Sequence, residues 1–157
     1  MMTNRRTFPS RRETGFTLAE LMIVIVIAAI LISIAVPAYT SQTRKSRRTE
    51  AKTAVLDLAS REERYFSTNN QYTTDPTLLG YAPVGSGAVF PQSAGTYYQI
   101  TVAVPDPAWA GGGPSFIVTA TPGAGSQQLQ DTQCTAFSVT QTGSQSATGT
   151  LGNACWQ

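Results

Sequence analysis

The sequence lacks histidine altogether, and only two of its 157 residues are cysteines, Cys134 and Cys155. The absence of histidine excludes catalysis by a Cys/His pair. We also find no other nucleophile placed beside a base, no metal-ligand spacing and no phosphate-binding loop. We therefore expect a protein that is not an enzyme and that binds neither a cofactor nor a metal ion.

Positive charge is missing from the second half of the chain, where no lysine or arginine follows Arg64. DNA binding requires exposed cationic side chains, usually with aromatic rings among them. We therefore expect no nucleic-acid binding through this domain alone. The earlier basic cluster, residues 44–48, is interpreted as a solvated surface or as a partner for acidic side chains of another chain.

Charge is also scarce in a long apolar run, Phe16–Val36, in which only Thr17, Glu20 and Ser33 are not apolar. A helix of this length spans roughly 30 Å, the thickness of the hydrocarbon core of a bilayer. A carboxylate costs about 2.5 to 3.5 kcal/mol at the bilayer centre and less near the ends, so Glu20 is expected to have a partner. If the chain were cut after Gly15, the new amino group of Phe16 on a neighbouring identical helix could provide one.

The start of the chain resembles a type IV prepilin. The features that carry this resemblance are the arginines within residues 5–12, then Gly15, Phe16, Thr17, Leu18, Glu20 and Leu21, and the Ile/Val-rich helix that follows. The resemblance implies cleavage between Gly15 and Phe16 by a membrane-embedded prepilin peptidase, N-methylation of Phe16, and polymerisation through helices packed in a filament core. Loss of residues 1–15, which hold four arginines and one glutamate, would change the formal net charge from +2 to −1.

Two other interpretations of the apolar run remain open. A secretory signal peptide cut after Ala38 would release a soluble domain that begins at Tyr39. Glu20 argues against it, because the apolar region of a signal peptide has no need of an acid. A pseudopilin of a type II secretion system has the same kind of N-terminal segment, and we retain it as the alternative function.

The fold predicted for the chain is α+β, a type IV pilin fold with a long N-terminal helix packed on an antiparallel sheet of three or four strands. Residues 1–15 form the leader, 16–37 a transmembrane or filament-core helix, 38–66 an amphipathic half, and 67–157 the globular head. Pro37 is expected to end or kink the helix, and also to matter for assembly, because it lacks an amide donor. Alternating side chains predict the strands 97–104, 115–121, 136–140 and 147–151, and we expect a loop over 67–95.

Cys134 and Cys155 are 21 positions apart in a segment rich in Gly, Ser, Thr and Gln. A disulfide between them would close a loop of about 22 residues and stabilise the domain by roughly 3 kcal/mol in the chain-entropy model. Two free thiols are the alternative. This ending is similar to that of PilE-like minor pilins, and in such an arrangement Trp156 would cover the disulfide.

These observations predict a minor structural subunit of a type IV pilus. It would be inserted once in the bacterial inner membrane with its C-terminal domain in the periplasm, and would become extracellular after assembly. The partners implied are other pilin subunits, the prepilin peptidase, the inner-membrane assembly machinery and, before assembly, membrane lipid. Pilus biogenesis, twitching motility and adhesion are the processes implied by the resemblance.

Overall fold

The computed structural model describes residues 15–81 and 97–157. Most of the predicted leader, residues 1–14, and the part of the predicted loop from residue 82 onward lie outside the described residues. The chain divides into two compact units between Thr40 and Ser41. Each unit is described below by itself.

One helix, α1, runs from Leu18 to Asn69 and includes Pro37. Of the two predicted effects of Pro37, ending the helix is therefore wrong, whereas a kink stays a prediction. A proline removes one backbone hydrogen bond and crowds one carbonyl group, and an apolar helix can accommodate both effects. The carbonyl group of Pro37 itself accepts a hydrogen bond from the hydroxyl group of Thr40 at 3.0 Å.

The second half of α1 extends three residues beyond its predicted end at Phe66. In this last turn, the hydroxyl groups of Ser67 and Thr68 donate to the carbonyl groups of Arg64 and Tyr65, at 2.7 and 3.0 Å. Asn70 follows with a φ of 54°, a conformation that commonly terminates a helix.

Four strands form a single antiparallel sheet in the order β1-β2-β3-β4. The strands are β1, Tyr98–Ala103; β2, Ile117–Pro122; β3, Ala136–Thr140; and β4, Gln145–Thr148. The α+β class with an antiparallel sheet is thereby confirmed. The fourth strand begins two residues before its predicted start and ends before Leu151.

The core of the second unit combines one face of α1 with one face of the sheet. Alternate strand residues are buried because successive side chains of a strand point to opposite faces. Tyr98 and Phe137 are fully buried and their rings meet edge to face, with centroids 6.0 Å apart. The buried apolar residues of α1 in this cluster are Ala51, Val55, Leu58 and Ala59.

Two short 3₁₀ helices, Gln127–Gln130 and Gly152–Trp156, complete the second unit. A disulfide joins Cys134, just before β3, to Cys155 in the C-terminal 3₁₀ helix. Trp156 donates a hydrogen bond from its indole Nε1 to the carbonyl group of Ser146 at 2.8 Å. Its ring also packs edge to face on Phe137, so the C-terminal turn is held against β3 and β4.

Gly149 is expected to be intolerant of a side chain. Its φ is +119°, and an added Cβ would overlap the carbonyl group of Gln133, which is backbone and cannot rotate away. We expect Gly149→Ala to lower the free energy of unfolding by roughly 2 to 4 kcal/mol, from overpacking and backbone strain together. Guanidinium unfolding of the full chain in detergent micelles measures this effect.

Gly125→Ala is the matched control for that substitution. Gly125 also has a positive φ, +77°, but an added Cβ there would meet nothing within 4 Å. It should therefore cost only the backbone strain, about 1 kcal/mol or slightly more. Equal losses at Gly149 and Gly125 would show that the close approach to Gln133 has no energetic weight.

Candidate functional site

The first turn of α1 begins directly after the predicted cleavage position. Thr17 caps the helix, because its Oγ1 accepts a hydrogen bond from the backbone N–H of Glu20 at 3.2 Å. The carbonyl group of Thr17 accepts from the N–H of Leu21, also at 3.2 Å. Gly15 and Phe16 precede the helix and are exposed. The peptide bond between them is therefore outside the regular helix.

The carboxylate of Glu20 is exposed, and in the described part of the chain it forms no hydrogen bond or ion pair. Thr17 and Glu20 have the spacing of a capping box, in which the glutamate would reach back to the N–H of the threonine. Only the bond accepted by Thr17 is present. This cap was not predicted, although the Thr-x-x-Glu pattern is a recognisable signal for it. The carboxylate thus remains available to another molecule.

The apolar half of α1 is uncovered. Its large side chains are all exposed, with Leu18 at 77% and the others above half of their maximum. By length and composition, α1 contains one segment that could cross a membrane. An exposed apolar surface of this extent indicates contact with lipid or with other helices.

The basic cluster of α1 contacts neutral amides as well as an acid. Arg44 donates to the Oε1 of Gln130 at 3.5 Å, and both terminal nitrogens of Arg47 donate to the Oε1 of Gln127 at 3.3 and 3.2 Å. The guanidinium group of Arg47 also lies 3.9 Å from the centroid of the Tyr97 ring. We call the adjoining cavity, about 330 Å³, the arginine groove; it is lined by Arg47, Tyr97 and residues 124–127.

Arg48 differs from its neighbours, because it pairs with a buried acid of the same chain. Its Nε and Nη2 donate to the two carboxylate oxygens of Asp131, each at 2.7 Å. Asp131 also accepts a hydrogen bond from the side chain of buried Gln128. The expectation that the cluster is either solvated or paired between chains is thus wrong for Arg48. Because Asp131 is 83 residues away, no local pattern in the sequence indicates this pair.

The remaining predicted residues lie at separate places. An added Cβ at Gly15 would meet nothing within 4 Å among residues 15–81 and 97–157. Pro37 lies inside α1, and Cys134 and Cys155 lie at the end of the second unit, joined by a bond that leaves no cysteine free. The residues assigned to processing and assembly thus belong to the N-terminal unit, whereas the disulfide belongs to the head.

A long helix with an exposed apolar half, an uncompensated acid in its first turn and a disulfide-bounded antiparallel sheet together define a pilin-class protein. Two family models match the chain. One is described as "Prokaryotic N-terminal methylation motif" and matches residues 10–36; the other is described as "Type IV minor pilin ComP, DNA uptake sequence receptor" and matches residues 37–138, more than half of the chain. The protein belongs to this type IV minor pilin family.

Curated relatives include both pilins and secretion proteins. The type IV major pilin protein PilA of Myxococcus xanthus is 39% identical over 72 residues, which cover 46% of this chain and 33% of PilA. The type IV major pilin protein PilE of Neisseria gonorrhoeae is 36% identical over 74 residues, 47% of this chain and 44% of PilE. The type II secretion system core protein G of Pectobacterium carotovorum is 39% identical over 104 residues, 57% of this chain and 67% of that protein.

The matched segment spans less than half the length of either pilin. The chain is a type IV pilin by family, and pilins are structural proteins that assemble with other pilin subunits.

Proposed function

We propose that the chain is a minor subunit of a type IV pilus, made as a precursor and cleaved between Gly15 and Phe16 by a prepilin peptidase. Phe16 is then N-methylated, and the protein is held in the inner membrane by its apolar helix, with the head in the periplasm. The assembly machinery moves it from lipid into the filament, which supports twitching motility and adhesion. The protein acts by association and not by catalysis.

The observation that carries this proposal is the uncontacted carboxylate of Glu20 on an exposed apolar helix. Lipid is itself apolar, so moving the helix from lipid into a helix bundle gains little from hydrophobic burial. Selectivity must then come from packing and from polar pairs. A carboxylate one turn from the new N-terminus can pair with the amino group of an adjacent subunit, and this pairing would also fix the register between helices.

Glu20→Val tests this role. We expect the variant to insert and to be cleaved, but to appear in sheared fibres at roughly a tenth of the parental amount, the effect of losing about 1.4 kcal/mol. Ser33→Ala is the matched control, because it also replaces a polar residue of the apolar run by an apolar one. The hydroxyl group of Ser33 donates a hydrogen bond within its own helix, to the carbonyl group of Ile30 at 2.7 Å. Quantitative immunoblots of the membrane and fibre fractions give the measurement. Equal incorporation of Glu20→Val and parent would remove the role assigned to Glu20.

A pseudopilin of a type II secretion system is the alternative, and the match to a core protein G supports it. The N-terminal segment serves both functions equally well. Deletion of the protein separates them: loss of surface fibres and twitching supports the pilus, whereas loss of secreted proteins from the medium supports the pseudopilin.

DNA binding is a second candidate function, since the matched family is described as a DNA uptake sequence receptor. In the described residues, Arg44, Lys45 and Arg47 form no salt bridge, and Arg47 stacks on an aromatic ring in the arginine groove. Against it, the chain after Arg64 has no cation to extend the contact. Any contact of this subunit with DNA would therefore be made by basic side chains of α1 at the arginine groove.

The double variant Arg44→Gln, Arg47→Gln tests that contact. If the two arginines bind phosphates, we expect duplex DNA to bind at least tenfold more weakly and the slope of log affinity against log salt to fall by nearly 2. Arg64→Gln is the control, because Arg64 is an exposed arginine elsewhere on α1. Fluorescence anisotropy with the full chain in micelles measures both quantities. An unchanged slope would contradict this route.

A further inference from the structure

Glu62 is a fully buried carboxyl group between α1 and the segment that follows the helix. Its exposed fraction is 0%, although it belongs to a run of four charged residues, 61–64. Oε2 accepts a hydrogen bond from the backbone N–H of Thr73 at 3.1 Å. Oε1 is buried and has no hydrogen-bond partner among the described residues. One oxygen therefore holds the following segment, and the other is left unsatisfied.

The segment held by Glu62, residues 71–81, is called here the post-helix loop. Near its start, the Tyr72 ring stacks on Phe66 and meets Phe116 edge to face, with centroids 4.6 and 4.7 Å apart. The hydroxyl group of Tyr72 donates to Glu63 at 3.1 Å, an exposed bond. The hydrogen bond from the backbone N–H of Thr73 differs from this exposed bond, because it is made to a carboxyl group that is fully buried.

The far end of the post-helix loop has its own attachments. Arg61 donates to the carbonyl group of Leu79 at 3.0 Å, and the hydroxyl group of Tyr81 donates to Asp57 at 2.9 Å. These contacts do not involve Glu62. A change at Glu62 would thus act first on the part of the loop around Thr73.

In the part of the chain that the structure describes, the titratable groups that face Glu62 are Glu63 on its own helix and Tyr72 and Tyr81 on the loop. None of them is a cation that could neutralise an ionised Glu62. Burial raises the pKa of Glu62 to about 7, the hydrogen bond from Thr73 opposes this rise, and the charge of Glu63 adds to it. The loop-bound state therefore favours the protonated carboxyl group.

We propose that Glu62 is a proton-controlled latch, which holds the post-helix loop on α1 when protonated and releases the loop around Thr73 when ionised. The physical reason is that ionisation places an unneutralised charge, one oxygen of which has no partner among the described residues, in a site shielded from solvent. Opening lets water reach the carboxylate. The surface that this subunit presents beside α1 consequently depends on pH in the mildly acidic to neutral range.

The direction of the effect follows from linkage. The carboxyl group titrates near 7 in the closed state and near its ordinary value of 4.5 when the loop is open. Closure is therefore strongest below about 4.5, weakens about tenfold per pH unit up to about 7, and levels off above 7. Across the whole transition, from well below 4.5 to well above 7, the opening equilibrium increases by two to three orders of magnitude.

Hydrogen exchange of the Thr73 amide, read by NMR on the full chain in detergent micelles, tests the latch. After correction for intrinsic exchange, we expect protection of this amide to fall by nearly two orders of magnitude between pH 4.5 and 7. In Glu62→Gln the protection should be independent of pH, while the control Glu63→Gln, which removes the exposed neighbouring acid, should keep the parental fall. A flat parental profile, or a parental fall that persists in Glu62→Gln, would overturn the proposal.

A second measurement needs no variant and so does not depend on whether Glu62→Gln folds. The ¹³C resonance of the Glu62 carboxyl group in the parent chain should titrate with a midpoint well above 4.5 and at most about 7, and the midpoint lies lower within that range the more fully ionisation opens the loop. A midpoint near 4.5 would overturn the latch. Neither result bears on whether the chain is a pilin, so the two proposals stand or fall separately.

Discussion

Asp131→Ala is expected to lower the free energy of unfolding by about 3 to 5 kcal/mol, a large part of the stability of a domain of this size. Asp131 is 2% exposed and pairs through both of its oxygens with Arg48. Its removal leaves the guanidinium group of Arg48, whose side chain is only 12% exposed, without its counter-ion. The penalty is the desolvation of an unpaired charge, which greatly exceeds the net contribution of the intact pair.

The ionisation of Asp131 agrees with this expectation. Burial by itself would raise the pKa of Asp131, but the hydrogen bond and charge of Arg48 outweigh burial and hold the pKa below its ordinary value. A lowered pKa means that this stabilisation is complete above the unfolded-state value, near 4, and is lost as the pH falls through the folded-state value. At neutral pH the full effect of Asp131→Ala should be seen.

Asp57 provides a matched control in the same chain. It also pairs with an arginine, Arg61, at 2.9 Å, but the side chains are 46% and 29% exposed. Water screens such a pair, so Asp57→Asn should cost at most about 1 kcal/mol. Guanidinium unfolding of both variants, followed by tryptophan fluorescence, gives the comparison. A loss below 1 kcal/mol for Asp131→Ala would mean that the pair does not stabilise the head.

The class of fold was predictable because local signals were strong. Alternating side chains located β1, β2 and β3 within one or two residues, and the apolar run predicted the first half of α1. The fourth strand was predicted two residues too late, because its residues, Gln145–Thr148, have little local strand preference. The position of this strand is determined by its pairing with β3. Phe137 pairs with Ala147, and the hydroxyl groups of Ser138 and Ser146 share a hydrogen bond.

The polar interior could not be predicted from the sequence. Arg48 and Glu62 each lie among charged neighbours on an amphipathic helix, a pattern that indicates solvent exposure. Their burial is decided by residues far along the chain or in a loop without periodicity, Asp131 for Arg48 and Thr73 for Glu62. In contrast, the site at the start of the chain is a short contiguous motif, so its residues could be named from the sequence.

Gly15→Glu is expected to abolish processing, with all of the protein remaining as precursor. The reason lies outside the folded chain, because Gly15 has no neighbour within 4 Å of an added Cβ and does not have the positive φ that favours glycine. The fold thus places no demand on residue 15. A requirement for glycine there must come from the peptidase that is proposed to bind the segment, and a charged side chain beside the scissile bond would oppose that binding.

Gly15→Ala distinguishes this explanation from a general effect of substitution. A methyl group meets nothing within 4 Å among the described residues, so we expect Gly15→Ala to insert normally and to be cleaved at least in part. Gel mobility shows the loss of residues 1–15, and intact mass shows the methyl group on Phe16. Mature protein of normal size from Gly15→Glu would contradict the assigned cleavage position. Since Glu20→Val is expected to be cleaved but poorly incorporated, the two substitutions separate processing from assembly, and a common defect in both would mean that residues 15–20 act as a single recognition segment.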